Sequence, residues 1–160
     1  DEPILIKSKD IKLVPIQEIK LNPKNRNKHP KEQIDQLIKI LKYQGFRRPV
    51  TISNRTGLLT CGEGRYLAAK KLGMKEIPAI YQEYESEEQE YADGIADNAI
   101  DKWAELDLSS INNDIGDLGP DFDIDILGIK NFKLDPADKE IENKLWGNKI
   151  KTFKKKILCQ

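Results

Sequence analysis

Leu58-Leu59-Thr60-Cys61-Gly62-Glu63-Gly64-Arg65-Tyr66-Leu67-Ala68-Ala69-Lys70-Lys71-Leu72-Gly73 reads as a strand, a tight glycine-flanked loop and a short helix over 65–72 that Gly73 closes. Glycines in such a loop permit positive φ and let a ligand approach the backbone closely. The free N–H groups and the dipole at the start of the helix then favour an anion, above all a phosphate. Arg65, in the first turn, adds a forked cation suited to a phosphate oxygen pair. The spacing matches neither the Walker pattern nor the dinucleotide fingerprint. The other reading is a plain strand-to-helix turn whose Arg65 pairs with a carboxylate.

Outward from that stretch the chain alternates short strands and helices. Ile34, Leu37, Ile38 and Leu41 recur at helical spacing and predict an amphipathic helix over 30–44, with Pro30 in its first turn and Gly45 as its stop. The segment 49–53 precedes a turn at Asn54-Arg55-Thr56-Gly57 and pairs with 58–61. Residues 11–16 and 77–81 read as further strands, Pro15 suiting a sheet edge and Pro78 an edge or a strand start. Asn22 to Asn27 is a turn-rich polar loop. Ser86-Glu87-Glu88-Gln89 fits a capping box opening a helix towards Asp101, with Gly94 as its weak point. A second helix is expected over 108–118, ended by Gly119-Pro120, and a hook of apolar residues among aspartates over 122–129. The prediction is an α+β fold: a small mixed sheet with flanking helices over 1–84, an acidic helical extension over 85–135, and a linker or tail over 136–160.

The chain has 160 residues with 27 Lys+Arg against 27 Asp+Glu, and this zero balance hides a segregation. Residues 1–82 hold 17 basic against 8 acidic, 83–140 hold 4 against 18, and 141–160 hold 6 against 1. An anion-handling front half and a separate acidic element fit that pattern, and so do solvated faces that differ in sign. No apolar run approaches the roughly 20 residues of a membrane span. Nothing resembles a signal peptide. Cys61 and Cys159 form neither a disulfide framework nor a zinc site, so a cytoplasmic protein is expected. The chain opens on Asp1 and is read as a piece of something longer.

Candidate chemistry gathers near the glycine loop. Glu63 beside a phosphate pocket is repulsive unless it holds a metal such as Mg²⁺, acts as a general base, or pairs with Arg65 or Arg47. Arg47 and Arg48, in the connection after the first helix, are candidate phosphate contacts. Asn25, Arg26, Lys28 and His29 supply further donors. Asp97 and Asn98 are a candidate metal ligand and amide donor, or simply a solvated helix end. Cys61 reads as a buried small apolar residue rather than a reactive thiol. Trp103 and Trp146 are assigned to core or docking roles.

In order, Asn22-Pro23-Lys24-Asn25-Arg26-(2)-His29, Gly45-Phe46-Arg47-Arg48-Pro49-Val50 and Gly62-Glu63-Gly64-Arg65-(2)-Ala68-Ala69-(2)-Leu72-Gly73-(3)-Ile77-Pro78 resemble the ParB/sulfiredoxin-type domain. The nearest likeness is the ParB-like nuclease domain of phage and mobile-element proteins, often N-terminal to a DNA methyltransferase. It continues through Ala96-Asp97-Asn98, Trp103, Asp107 and 122–125. Since ParB binds the triphosphate of CTP at the corresponding loop, the resemblance implicates Arg47, Arg48, Gly62, Glu63, Gly64, Arg65, Asp97 and Asn98 in a phosphate site; their carboxylates make Glu63 and Asp97 the candidate metal contacts. Gly64 stands where ParB has Arg, and the later ParB arginine after Asp97-Asn98 is missing. Glu63 occupies the place of sulfiredoxin's catalytic Cys, which argues against sulfinic-acid reduction. The expected function is a regulatory or targeting module of a DNA-modifying protein that binds nucleotide or DNA phosphates, with a nucleoside triphosphate and Mg²⁺ as cofactors. The alternative is a phosphotransferase or metal-dependent nuclease with Glu63 as its catalytic residue.

Overall fold

A computed structural model describes residues 4, 6, 7, 10–118 and 121–133. These divide between two compact units, 1–104 and 105–160. The first unit carries five strands, β1 (Ile11–Pro15), β2 (Lys20–Leu21), β3 (Val50–Ser53), β4 (Leu58–Cys61) and β5 (Glu76–Gln82), and three helices, α1 (Lys31–Gln44), α2 (Glu63–Lys71) and α3 (Glu87–Ile100). The strands form one mixed sheet in the order β1-β5-β3-β4-β2. β1 with β5 and β3 with β4 run antiparallel, whereas β3 with β5 and β2 with β4 run parallel.

Strand alternation decides which side chains meet the helices. Val14, Ile19, Val50, Ile52, Leu59, Ile77 and Ala79 form one buried cluster with Tyr66 and Ala69 of α2. Each large aliphatic side chain buried there contributes about 1.5–3 kcal/mol of transfer free energy. α1 packs on α2, and α3 packs on β4. The helix expected to open the acidic extension therefore goes with the sheet.

Three local features differ from expectation. β2 is only two residues long and carries no periodicity from which to read it. Pro78 sits in an interior strand, but β3 pairing begins one residue later, at Val50 with Ala79, so its missing N–H costs that ladder nothing. α2 starts at Glu63, two residues early, because Gly62 alone makes the turn, at φ 93° and ψ 21°. Gly64 thus lies inside the helix and not in a loop.

The β3–β4 turn is held by Ser53, whose buried Oγ accepts from the amides of Arg55 and Thr56 at 3.1 and 3.3 Å. It also binds α3: the buried carboxylate of Glu90 accepts from Arg55 Nε at 2.9 Å and Thr56 Oγ1 at 2.7 Å. Ser86 caps α3 by accepting from the Gln89 amide at 3.2 Å. The Gln89 side chain answers one residue earlier than a capping box requires, accepting from the Glu85 amide at 2.8 Å.

In the second unit, α4 (Leu108–Leu118) is capped by Asp107, whose carboxylate takes both the amide and the hydroxyl of Ser110. A 3-10 turn over Ile124–Leu127 follows, with Asp123 accepting from the Asp125 amide. The expected stop at Gly119-Pro120 and the tail over 136–160, including Trp146 and Cys159, lie outside the described residues. Trp103 has no core role: it is 80% exposed, on a short turn after α3. Among the described residues no helix is long and apolar enough to cross a membrane.

Candidate functional site

Because β4 becomes α2 through the single residue Gly62, the helix N-terminus emerges directly beyond the strand end. The first helical hydrogen bond runs from the Tyr66 amide to the Gly62 carbonyl at 3.0 Å. The amides of Glu63, Gly64 and Arg65 precede it and have no helical carbonyl behind them. An open cleft of about 170 Å³ lies there, lined by Thr60 and residues 62–65, by Asn25, Asn27 and His29 from the loop before α1, by Gln33 and Leu37 of α1, and by Asp97, Asn98 and Asp101. This room suits a phosphate group with its waters; a base and sugar would extend outside it.

Arg65 is the cation of this cleft. Its Nη2 donates to the Pro49 carbonyl at 3.3 Å, and its Nε is shielded from solvent with no partner. Burial pushes its pKa below the ordinary guanidinium value, the Asp97 carboxylate opposes that, and the charge of Arg48 adds to it. An arginine stays protonated under such a shift. The guanidinium is held against Gly62: a Cβ there would lie 2.8 Å from Arg65 Nη2 and 3.0 Å from Val50 Cγ1. Gly62 is thus required both for its left-handed backbone and for the space that Arg65 fills.

Glu63 pairs with neither Arg65 nor Arg47; its carboxylate accepts from the side-chain amide of Asn25. Asn25 is itself fixed, its Oδ1 accepting from the Asn27 amide at 2.9 Å and its own amide bonding to the Asn22 carbonyl at 3.0 Å. Asn98 donates to the Gly94 carbonyl at 3.3 Å, and Asp97 is exposed at the cleft rim. His29 bonds through Nδ1 to Gln33 Oε1 at 3.0 Å.

The structure brings together Asn25, His29, Gly62, Glu63, Gly64, Arg65, Asp97 and Asn98 of the residues singled out from sequence. It leaves Arg47 and Arg48 outside the cleft lining. Arg47 is exposed and donates Nε–H to the Gln44 carbonyl at 2.9 Å, so it closes the C-terminus of α1 instead. Asn27, Gln33, Thr60 and Asp101 line the cleft without having been singled out; none carries a local pattern that marks it. Among the described residues no group of three or more His, Cys, Asp or Glu is placed to hold a metal. Cys61 is buried beneath the cleft, its thiol pushed up to about 12 by burial, with Asp97 and Asp93 adding to the rise. It is no nucleophile.

Comparison with known proteins agrees with this architecture. The ParB N-terminal domain family matches residues 2–99. The ParB-like nuclease domain-containing protein YnaK of Escherichia coli (strain K12) is 36% identical over 75 residues, 46% of this chain and 85% of that protein. The C-terminally truncated chromosome-partitioning protein ParB from Caulobacter crescentus, solved with CTP-γ-S, superposes with a TM-score of 0.57 at 21% identity. That superposition covers 66% of this chain and 61% of that one, so this chain spans under two thirds of the ParB structure's length. Sulfiredoxin from Arabidopsis thaliana gives a TM-score of 0.42 at 19% identity, over 48% of this chain and 88% of the other. With a family match over residues 2–99, more than half its length, the chain belongs to the ParB N-terminal domain family.

Proposed function

We propose that this chain is a phosphate-binding module that takes a nucleoside triphosphate, or the phosphates of DNA, at the start of α2, and that it regulates or targets a DNA-modifying protein. The observation that carries this reading is the convergence, in one cleft, of three amides without helical partners and the half-buried cation of Arg65. Charge-assisted hydrogen bonds from such a set are short and strong, and they need no reorganisation when the anion arrives. The CTP analogue on the Caulobacter protein supports a nucleotide as the ligand. On this reading Arg65 holds the phosphate, Gly62 keeps Arg65 in place, Gly64 contributes its backbone amide while the space beside it is filled by Leu37 and His29, and Asn98 is a further donor at the rim. A cytoplasmic setting and a neighbouring methyltransferase module belong to the same proposal.

Glu63 and Asp97 bring oxygen donors of the kind Mg²⁺ accepts, since that ion commonly uses one or two carboxylates with substrate phosphates and water. Bound there, it would offset the charge of the triphosphate beside Glu63. Arg47 and Arg48 fit better as distal contacts for a nucleic-acid backbone than as part of the cleft.

A thermal-shift and calorimetry panel of CTP, ATP, ADP and GTP, with and without Mg²⁺, tests the reading. A ligand at about 100 times its Kd stabilises by about 2.7 kcal/mol, which is several degrees in Tm. Arg65→Ala is expected to weaken binding by about 10- to 100-fold. Equal binding in that variant would overturn the assignment. The second reading, an enzyme with Glu63 as base or metal ligand, is favoured by the position of Glu63 in the cleft, where among the described residues its carboxylate bonds to the neutral Asn25 amide. Glu63→Gln is then expected to abolish turnover with binding retained; unchanged turnover removes this alternative.

A further inference from the structure

β1 ends the sheet, and among the described residues it pairs with β5 alone. Alternate residues of such an edge turn their N–H and C=O groups away from the sheet, where a further strand can take them. The pleat divides its side chains. Val14 is buried in the core cluster, and Lys12 on the same face reaches over the Tyr81 ring, 5.7 Å from its centroid. Ile11 and Leu13 stand on the other face, 60% and 64% exposed, opposite the half-buried Ile80 and Pro78. Ile4 and Ile6, just ahead of the strand, are almost fully exposed as well.

Edge strands are blunted by shortness, by proline or by an outward charge. The other edge follows this rule, since β2 has only two residues. β1 does not. It is five residues long, Pro15 stands at its very end, and its one charged side chain lies over Tyr81 on the core face. An apolar edge in this state is a template for another strand.

The charges along the edge decide which strand fits. Under a two-fold axis normal to the sheet, β1 meets the β1 of a second copy antiparallel, and residues directly opposite share a face. With Ile11 on the axis, Ile11 faces its own counterpart. Asp10 and Lys12 of each copy then face Lys12 and Asp10 of the other, so two opposite-charge pairs flank an apolar contact. Moving the axis to Lys12 sets two lysines face to face, which penalises the neighbouring register.

We propose that β1 is a self-association edge: two copies of this chain pair their β1 strands antiparallel about Ile11, joining their sheets into one. No residue lining the anion cleft lies on β1, so the pairing does not rest on the phosphate-binding reading.

A ladder this short buries less than the roughly 1,600 Å² of a standard interface, so the dimer is expected to be weak, with a Kd on the order of 100 µM. Sedimentation equilibrium of the full chain from about 5 to 500 µM should pass reversibly from monomer towards dimer across that Kd. The β1 amides should gain protection from hydrogen exchange over the same range. Ile11→Lys places two like charges on the axis and removes the central apolar contact. It should weaken association at least about tenfold, while circular dichroism shows an unchanged fold, since Ile11 is exposed. Asp10→Lys makes both flanking pairs repulsive and should also weaken the dimer; adding Lys12→Glu exchanges the signs and should restore it. Asp10 lies outside the strand and is exposed, so this charge exchange decides the matter even if Ile11→Lys fails to fold. A chain that stays monomeric at the highest concentration overturns the proposal, whether its β1 amides exchange freely or are protected by another part of the chain. So does a dimer that tolerates Ile11→Lys, or one in which Asp10→Lys and the double exchange behave alike.

Discussion

Gly62 shows how much one position settles here. Its φ of 93° and the 2.8 Å clearance to Arg65 Nη2 leave no place for a Cβ, so Gly62→Ala meets a strained backbone and also displaces the cation. We expect a loss of about 1–3 kcal/mol of stability, read by urea denaturation, together with loss of nucleotide binding by calorimetry. Gly73→Ala is the control. Its φ is 71°, but nothing lies within 4 Å of the added carbon, so only the backbone cost of about 1 kcal/mol applies and binding should be untouched. The two glycines look alike in sequence, and the difference between them is the tertiary placement of Arg65. Cys61 makes a second prediction at this scale. Its thiol is pushed up to about 12 from an ordinary 9.0, and burial also raises the Tyr84 hydroxyl, which donates to Asp93 at 2.7 Å. Up to about pH 7.5 both groups are protonated, folded or unfolded, and contribute no pH dependence. From about pH 8 to 12 the unfolded chain holds fewer protons than the folded one, so stability falls as pH rises. Alkaline melting curves should show that fall, and Cys61→Ser should reduce it. A thiol reagent at pH 8 should modify Cys61 in urea far faster than in the native protein. Burial at Cys61 was legible, because an apolar strand end without an adjacent cation offers nothing to stabilise a thiolate.

At the scale of elements, the helices with strong punctuation were the legible ones. Gly45 closes α1 in the left-handed region and bonds back to the Leu41 carbonyl, and Ser86 caps α3. These signals are local, so a single sequence carries them. β2 is set instead by its parallel pairing of Lys20 with Leu58 and Leu21 with Leu59, and no two-residue window contains that information. The attachment of α3 is likewise non-local. Glu90 lies 35 positions from Arg55, yet its 5% exposed carboxylate binds both Arg55 and Thr56. Glu90→Ala should strand those two donors and cost about 1.5–3 kcal/mol, a range that allows for the partly exposed Arg55 partner. Hydrogen exchange should then quicken along α3 more than along α1. Equal protection in both helices would show that this ion pair does not hold α3. Because α3 carries Asp97 and Asn98 to the cleft, the same variant should weaken anion binding without touching a lining residue.

For the whole molecule, charge segregation along the chain was the coarsest observation and the least decisive. The acidic run that starts at residue 83 is not one structural element: α3 belongs with the sheet, and the compact unit ends at Ala104. Within 1–104 the sequence has 18 basic against 16 acidic residues, so the folded unit is close to neutral and the proposed anion site rests on local geometry rather than on net charge. Every member of the main core cluster and every residue lining the cleft lies within it. The five-stranded sheet is complete there too. A fragment of residues 1–104 is therefore expected to unfold cooperatively, with a Tm within a few degrees of the full chain. It should bind the same nucleotide with an affinity changed by less than about threefold, since a shift of only two net charges is screened beyond roughly 8–10 Å at physiological salt. Circular dichroism melting and calorimetry check the two halves separately. A fragment that folds but fails to bind would assign residues 105–160 a direct part in the site. A fragment without a cooperative transition would instead make those residues part of the folding unit itself.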